Sequence, residues 1–403
     1  MSTSQPLADF TVFEVASFVA VPSAGMALAQ LGADVIRVDP PGGGSDAHRW
    51  PLASTGESLF WANLNKGKRS LALDYRAPEG RELLLALVTA EGPTGGVLLD
   101  NMVGKRRITY DELSRRRADV VHVHVEGKSD GSPAVDYTVN AEIGVPLMTG
   151  PAEVQTPVNH VVPAWDLLTG VTVANAAVAA LLRRLRTGEG ARIEIALADV
   201  ALAGVGSMGW LAEAAIRGTA RPRHGNHMYG SFGSDFATAD GRRVMVVALT
   251  EGQWRALRNV TETGKVFEAL EQVLDADLTL EQDRYRLRET IAAVLRPWFE
   301  QRDFATVSEL LDQAHVLWSP YRDMAQATDL ARGAAPLVAE IDQAGIGTML
   351  ATGSPVRWDG VQLGPVSAPT LGADTFAVLA DSLGLTQAEL GRLHGSGVVG
   401  GPR

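Results

Sequence analysis

The stretch that most restricts this chain is its first forty residues. A short β-rich run, Thr11–Val15, leads through a loop, Ala16–Pro22, into an apolar helical pattern, Ser23–Leu31. Gly32 stops that helix, and Asp34–Val38 reads as the next strand. Two strands separated by one helix within about 28 residues pair in parallel through a right-handed crossover. The alternation continues with strands at Ser70–Asp74, Gly96–Asp100 and Val120–Val125 and helices at Pro78–Thr89 and Tyr110–Arg117. This pattern predicts an α/β fold with an open parallel sheet covered by helices.

Further along, Asp166 precedes a long Ala/Leu helix that ends near Arg186, where Thr187-Gly188-Glu189-Gly190 breaks it. Arg192–Leu197 reads as a strand and Asp199–Ile216 as a second long helix. The polar, Pro- and Gly-punctuated segment Thr219–Asn226 reads as a linker. Beyond it lies a hairpin, Asp235–Ala248, turning at Asp240-Gly241, and then helical patterns to about Gln313. Trp318–Arg322 is expected to return the chain to the first domain, and Leu371–Val398 reads as two helices around Gly384-Leu385-Thr386. The expected domains are therefore a large Rossmann-like one over 1–220, a smaller α+β one over 221–318, and a return to the large one over 319–403.

Composition removes several classes of function. There is no cysteine, so disulfides, thiolate catalysis, Fe–S clusters and cysteine zinc sites are excluded. The absence also fits a cytoplasmic location. A net charge of −11 spread along the chain argues against nucleic acid as a partner. The most apolar runs, Val171–Leu182 and Val200–Leu211, are shorter than the roughly 18 residues of a membrane span and read as buried helices. The first βα turn, Ala16–Pro22, lacks the glycines of a dinucleotide site, so Asp39 at the end of the second strand is a weak ribose ligand.

Cations are more informative. Of five lysines, four are Lys66, Lys68, Lys105 and Lys128, joined by Arg69, Arg106 and Arg107. In an acidic chain, the clusters Asn65–Arg69 and Lys105–Arg107 beside strands of one sheet fit a phosphate site or two solvated loops equally well. His122 and His124 share one face of a strand, a spacing a metal can use. With no third ligand apparent, such a pair ordinarily packs and hydrogen-bonds, and no metal is expected. Asp166 suits a helix N-cap. Second to that reading, the same position suits a nucleophile kept ionised by helix amides and screened from water by Trp165 and Leu167.

Taken together, Leu31–Pro40, Asn63–Leu71, Thr187–Gly190 and the C-terminal Leu371-Gly372 to Val399 resemble the class III CoA-transferases, the family of formyl-CoA transferase, carnitine CoA-transferase and α-methylacyl-CoA racemase. The resemblance covers nearly the whole chain. It implies a large Rossmann-like domain, a small domain and an interlocked homodimer. It also implies an acyl-CoA substrate, with coenzyme A as part of that substrate and no tightly bound cofactor.

Asp166 matches the family's nucleophile, which forms an aspartyl–acyl anhydride and then an aspartyl-CoA thioester. Val19, Ala20, Asn65, Lys66, Lys68, Arg69, Asn101, Lys105, Arg106, Arg107 and Lys128 fall on its CoA-contacting loops. Pro40 stands where the family often has Arg or another polar residue, so adenine contacts there are expected to differ. Val135 stands where the racemases carry a catalytic His, which argues against racemisation. Val135–Pro151, Asn159–Gly170, Pro222–Gly233 and Trp318–Arg322 resemble the branch of the family that moves CoA between the two carboxyls of one branched, unsaturated diacid. Arg37, Arg49, His160, Arg223 and Tyr229 are the candidates for holding the distal carboxylate. The alternatives are transfer from succinyl-CoA or another donor to a free acid, and a non-catalytic CoA-binding paralogue.

Overall fold

The computed structural model describes residues 5–104 and 107–401, which form two compact units. The first takes the described residues up to Ile143, His160–Ile216, and those from Ala331 onward. In chain order it begins with β1 (Thr11–Val15), α1 (Ala20–Gln30), β2 (Asp34–Asp39), α2 (Leu59–Leu64), β3 (Arg69–Ala72) and α3 (Pro78–Thr89). Then come β4 (Val97–Asp100), α4 (Tyr110–Ser114), β5 (Val121–Glu126) and α5 (Asp136–Glu142). After α6 (Val145–Met148), which belongs to the second unit, follow α7 (Ala164–Thr187), β6 (Ala191–Ala196), α8 (Leu197–Ser207) and α9 (Trp210–Arg217).

The six strands form one parallel sheet in the order β3-β2-β1-β4-β5-β6. Both faces of the inner strands are covered, so β1, β2, β4 and β5 are buried almost throughout, whereas the edge strand β6 alternates exposed and half-buried residues. On one face Phe13, Ile36, Leu71 and Leu98 pack with Leu84 and Val88 of α3. On the other, Val12, Val35, Leu99 and Val123 pack with Leu28 of α1 and with Val173, Ala177 and Leu181 of α7. Each of the Val, Leu, Ile and Phe side chains among them, fully buried, contributes about 1.5–3 kcal/mol. α7 is long and apolar enough to cross a membrane by length and composition, which the shorter runs in the sequence did not predict. Its buried stripe nevertheless packs on the sheet. Strand order reverses between β1 and β4, and the loops leaving their carboxyl ends open the crevice where such sheets bind ligands.

The second unit holds Gly144–Asn159 and Arg217–Leu330. It contains β7 (Phe232–Ala237), β8 (Arg243–Ala248), α10 (Glu251–Val260), α11 (Gly264–Leu274), α12 (Glu281–Arg286), α13 (Arg288–Glu300), α14 (Phe304–Gln313) and β9 (Leu317–Pro320). Phe236 and Phe299 stack with centroids 4.3 Å apart at the centre of its core. The chain then continues through α15 (Met324–Arg332), the hairpin β10 (Val338–Gln343) and β11 (Gly347–Thr352), β12 (Arg357–Trp358), β13 (Val361–Gln362), α16 (Thr375–Leu383) and α17 (Gln387–Gly395). On the first-unit core face, Val378 and Leu379 of α16 and Leu390 and Leu393 of α17 join the α3 side.

Four expectations change. Trp318–Arg322 does not leave the small domain, because Leu317–Pro320 pairs antiparallel with β8. The unit boundaries therefore fall at 217 and 330 rather than 221 and 318. Gly144–Asn159 joins the second unit because Arg223 donates to the carbonyls of Leu147 and Val154, at 2.9 and 2.5 Å. The helix expected over Asp199–Ile216 is two helices, broken at Gly209, whose φ is 75°.

Candidate active site

The crevice at the strand-order reversal is a cavity of about 1020 Å³ lying wholly within the first unit. Its floor is the β1–α1 loop. Asn101, just past β4, accepts from Ser17 N–H at 3.1 Å and donates to Ser17 C=O at 3.0 Å, tying the two loops together. Phe18 sits at φ 69° and donates its N–H to Asp46 Oδ2 at 2.8 Å. A bulky residue in that left-handed region is strained, so the Asp46 contact helps hold the Phe18 ring where it is. Val19 and Ala20 line the same wall.

Asp166 enters from α7. That helix starts at Ala164, so Asp166 lies inside the first turn and is not the N-cap. The capping group is Asp136, a buried residue whose Oδ2 accepts from Trp165 N–H at 2.8 Å and Asp166 N–H at 3.1 Å. Asp136 Oδ1 lies 2.8 Å from His160 Nε2. One turn along α7, Gly170 allows the close approach to α1: a Cβ there would sit 2.0 Å from Ser23 Oγ and 2.7 Å from Ala20 C=O.

The helix amides were expected to keep Asp166 fully ionised, but they are engaged by Asp136. Burial pushes the Asp166 carboxyl up to about 6, the negative charge of Asp136 adds to the rise, and Arg49 opposes it. The carboxylate is therefore mostly ionised at neutral pH yet poorly solvated, the state that favours attack on a carbonyl. Arg49 shares the cavity, its guanidinium 5.3 Å from the ring centres of both Phe18 and Phe60. Held close to both rings, it is a preoriented cation facing the same space as Asp166.

The other expected residues divide into distinct places. Arg37 is fully buried and donates to Glu14, Asp39 and Asp46, so it cannot reach a substrate carboxylate. Its guanidinium also occupies Asp39, removing the weak ribose ligand. Lys68, expected at CoA, is buried with its ammonium 2.9 Å from both Glu14 oxygens, 2.9 Å from Pro22 C=O and 2.8 Å from Asn65 Oδ1, which fills its donor capacity. Asn65 is likewise interior and donates to Trp61 C=O. Both are corrected from ligand contacts to supports of the loop, because the expected phosphate cannot reach them.

Lys66 donates to Asn63 at 3.1 Å, and burial lowers its ammonium to about 8. Arg69 is partly exposed and pairs with Asp34 at 3.1 Å. Arg107 donates toward His124, and Lys128 pairs with Glu142 at 2.6 Å. Lys105 and Arg106 lie outside the described residues. Of the distal-carboxylate candidates, Arg49 alone keeps a charged group facing the cavity, since His160 is held by Asp136. Arg223 and Tyr229 belong to the second unit, where Arg223 grips carbonyls and the Tyr229 ring lies 3.4 Å from the Arg221 guanidinium. Val135 is an exposed residue on the cavity rim.

Sequence reasoning missed Asp136, Phe18 and Phe60. Asp136 offered only a faint signal, an acid at the head of a helical pattern. The two rings come from separate segments that only the fold brings together. It also missed the third member of the histidine cluster, Asp100, which β4–β5 register sets opposite His124.

A Rossmann-like sheet whose crevice holds a semi-buried aspartate at a helix start suits an enzyme that works through a carboxylate nucleophile. Residues 7–375 match the family profile of CoA-transferase family III, and the chain belongs to that family. It is 49% identical to the 2-methylfumaryl-CoA isomerase of Chloroflexus aurantiacus, over 97% of each chain. It is 30% identical to the succinyl-CoA:mesaconate CoA-transferase of Haloarcula marismortui, over 87% of this chain and 89% of that one. The solved structure of a CAIB/BAIF family protein from Brucella suis shares the fold, with a TM-score of 0.75, 24% identity, and coverage of 94% of this chain and 100% of that one.

Proposed function

We propose that this enzyme moves CoA from one carboxyl to the other of 2-methylfumarate (mesaconate) within a single bound molecule. The observation that carries the reading is the presence, in one cavity, of a poorly solvated carboxylate, Asp166, and a preoriented cation, Arg49. The full-length likeness to an isomerase of that ester supports the choice of substrate.

Asp166 attacks the thioester carbonyl and expels CoA thiolate, leaving an aspartyl–acyl anhydride. The thiolate then attacks the aspartyl carbonyl, giving an aspartyl-CoA thioester and the free diacid. The second carboxylate of the diacid attacks that thioester and re-forms an anhydride with release of thiolate. The thiolate finally attacks the substrate carbonyl, releasing the isomeric ester and the Asp166 carboxylate. Each step exchanges one acyl bond for another, so the thioester's reactivity is retained as long as water is excluded. Arg49 holds whichever carboxylate is not reacting, by charge-assisted hydrogen bonds. Keeping donor and acceptor in one molecule replaces a second encounter, an advantage of about 7–11 kcal/mol at most.

Coenzyme A enters as part of the substrate. The cations we assign to its phosphates are Arg107 and Lys128, with Asn101, Val19 and Ala20 beside the thioester arm; Lys66, Arg69, Lys105 and Arg106 join them on the family resemblance alone. The working form is a homodimer, in line with that resemblance and with the exposed apolar side chains of α7–α9: Val171, Leu185, Met208 and Ile216. The test uses unlabelled mesaconyl-C1-CoA with an excess of labelled free mesaconate. Product free of label is expected. Label entering the CoA ester as fast as product forms would replace this reading with transfer to an external acid.

A further inference from the structure

Asp100, at the carboxyl end of β4, and His122 and His124, within β5, form a buried cluster that takes no part in the chemistry above. Asp100 Oδ2 lies 2.5 Å from His122 Nε2, and Oδ1 lies 2.8 Å from His124 Nδ1. Oδ1 also accepts from Met102 N–H at 2.9 Å. On the far side of the second ring, His124 Nε2 lies 3.1 Å from Arg107 Nη1.

An arginine has no lone pair to offer, so Nε2 accepts, and the ring proton of a neutral His124 sits on Nδ1. That proton points at Asp100. The tautomer is thus fixed from both ends, and the Nδ1 lone pair that a metal would need is used. The three side chains form a hydrogen-bonded chain rather than a metal centre.

The chain ends on Arg107, and its carboxylate also holds the start of the same loop at Met102. Both ends of the β4–α4 loop are therefore anchored on Asp100. The acceptor presented to Arg107 is a neutral ring nitrogen and not a carboxylate, so the guanidinium keeps its charge for an anion. Glu194, which faces His124 across the β5–β6 register, is held by Arg192 at 2.6 Å.

We propose that Asp100 and His124 are positioning residues that aim Arg107 at a phosphate of the bound CoA ester. This rests on the CoA-transfer reading above. The buried carboxylate fixes the imidazole, and the imidazole fixes one edge of the guanidinium, leaving the remaining donors preorganised for a phosphate.

The test compares His124→Gln with His124→Asn. A Gln amide oxygen reaches the place of Nε2 and can still accept from Arg107, whereas the shorter Asn amide occupies the place of Nδ1 and leaves Arg107 unheld. KM and kcat are measured with mesaconyl-CoA and with the pantetheine ester, which lacks the nucleotide phosphates, and CoA affinity is measured by calorimetry. The Asn variant is expected to raise KM for the CoA ester and weaken CoA binding about tenfold, with kcat little changed and the pantetheine ester unaffected. The Gln variant should regain most of the affinity. Equal behaviour of Gln and Asn, or a KM rise that is the same for the pantetheine ester, would overturn the positioning role. Failure of the CoA reading itself looks different: the wild type would then bind CoA no better than pantetheine.

Discussion

Asp166 combines a nucleophile's position with a carboxyl raised to about 6, and both properties are testable on that one side chain. Activity should fall as pH drops through about 6, because only the ionised form attacks; a pH–rate profile flat to pH 4.5 would contradict this. Asp166→Asn should lose at least about a thousandfold in turnover. The same variant should be more heat-stable than the wild type at pH 7–8, by roughly 1–2 kcal/mol after allowance for solvent screening. The raised folded-state pKa makes ionisation costly to the fold above about 6, and that cost vanishes as pH falls below the ordinary carboxylate value of 3.8. Melting curves of the two proteins should therefore converge near pH 4. Asp166 was legible in the sequence as an acid before an apolar helix. Its raised pKa was not, because that comes first from burial in the folded crevice and then from the negative charge of Asp136, thirty residues earlier in the chain.

At the scale of elements, α7 is the part that sets the site. Asp136 of α5 caps it from outside, so Asp136→Asn should cost about 1 kcal/mol of stability. It should also shift the acid limb of the pH–rate profile downward, since a like charge beside Asp166 is removed. An unshifted limb would mean that Asp136 acts on the fold alone. α7 meets α1 at Gly170, and an added methyl would collide with Ser23 and the Ala20 carbonyl. Gly170→Ala is expected to destabilise by about 1–3 kcal/mol and to lower activity, because Asp166 lies one turn away on the same helix. Thermal melting and single-turnover rates would read the two effects separately. Most of these elements could be read from apolar periodicity and from glycine stops. The hairpin β10–β11 and strand β9 could not, since short strands near polar segments are defined by their partners rather than by their own pattern.

For the whole molecule, α7–α9 expose Leu185, Met208 and Ile216 at 67–85% of full accessibility, an apolar surface suited to a second copy of the chain. Light scattering should give twice 42.8 kDa for the wild type, and Leu185→Glu with Met208→Glu should shift the mass toward 42.8 kDa or cause aggregation. A wild-type monomer with full activity would rule out the dimer as the working form. The sequence by itself determined the parallel sheet, because strand–helix alternation with short connections admits little else. It also carried the family motifs and the helix that bears Asp166. Only the tertiary structure decided which cations face the ligand. Lys68 and Arg37 read as ligand contacts in the chain, yet Glu14 reaches both from the neighbouring strand β1 and Asp39 lies two residues along β2 from Arg37, and charges buried together are held together. Arg49 had no more distinctive a signal than they did. It shares the cavity with Phe18, from the β1–α1 loop, and Phe60, from α2, whose ring centres both lie 5.3 Å from its guanidinium. Local pattern encodes which segments become strands and helices; whether a charge ends up paired inside or free at a site depends on neighbours that are distant in sequence.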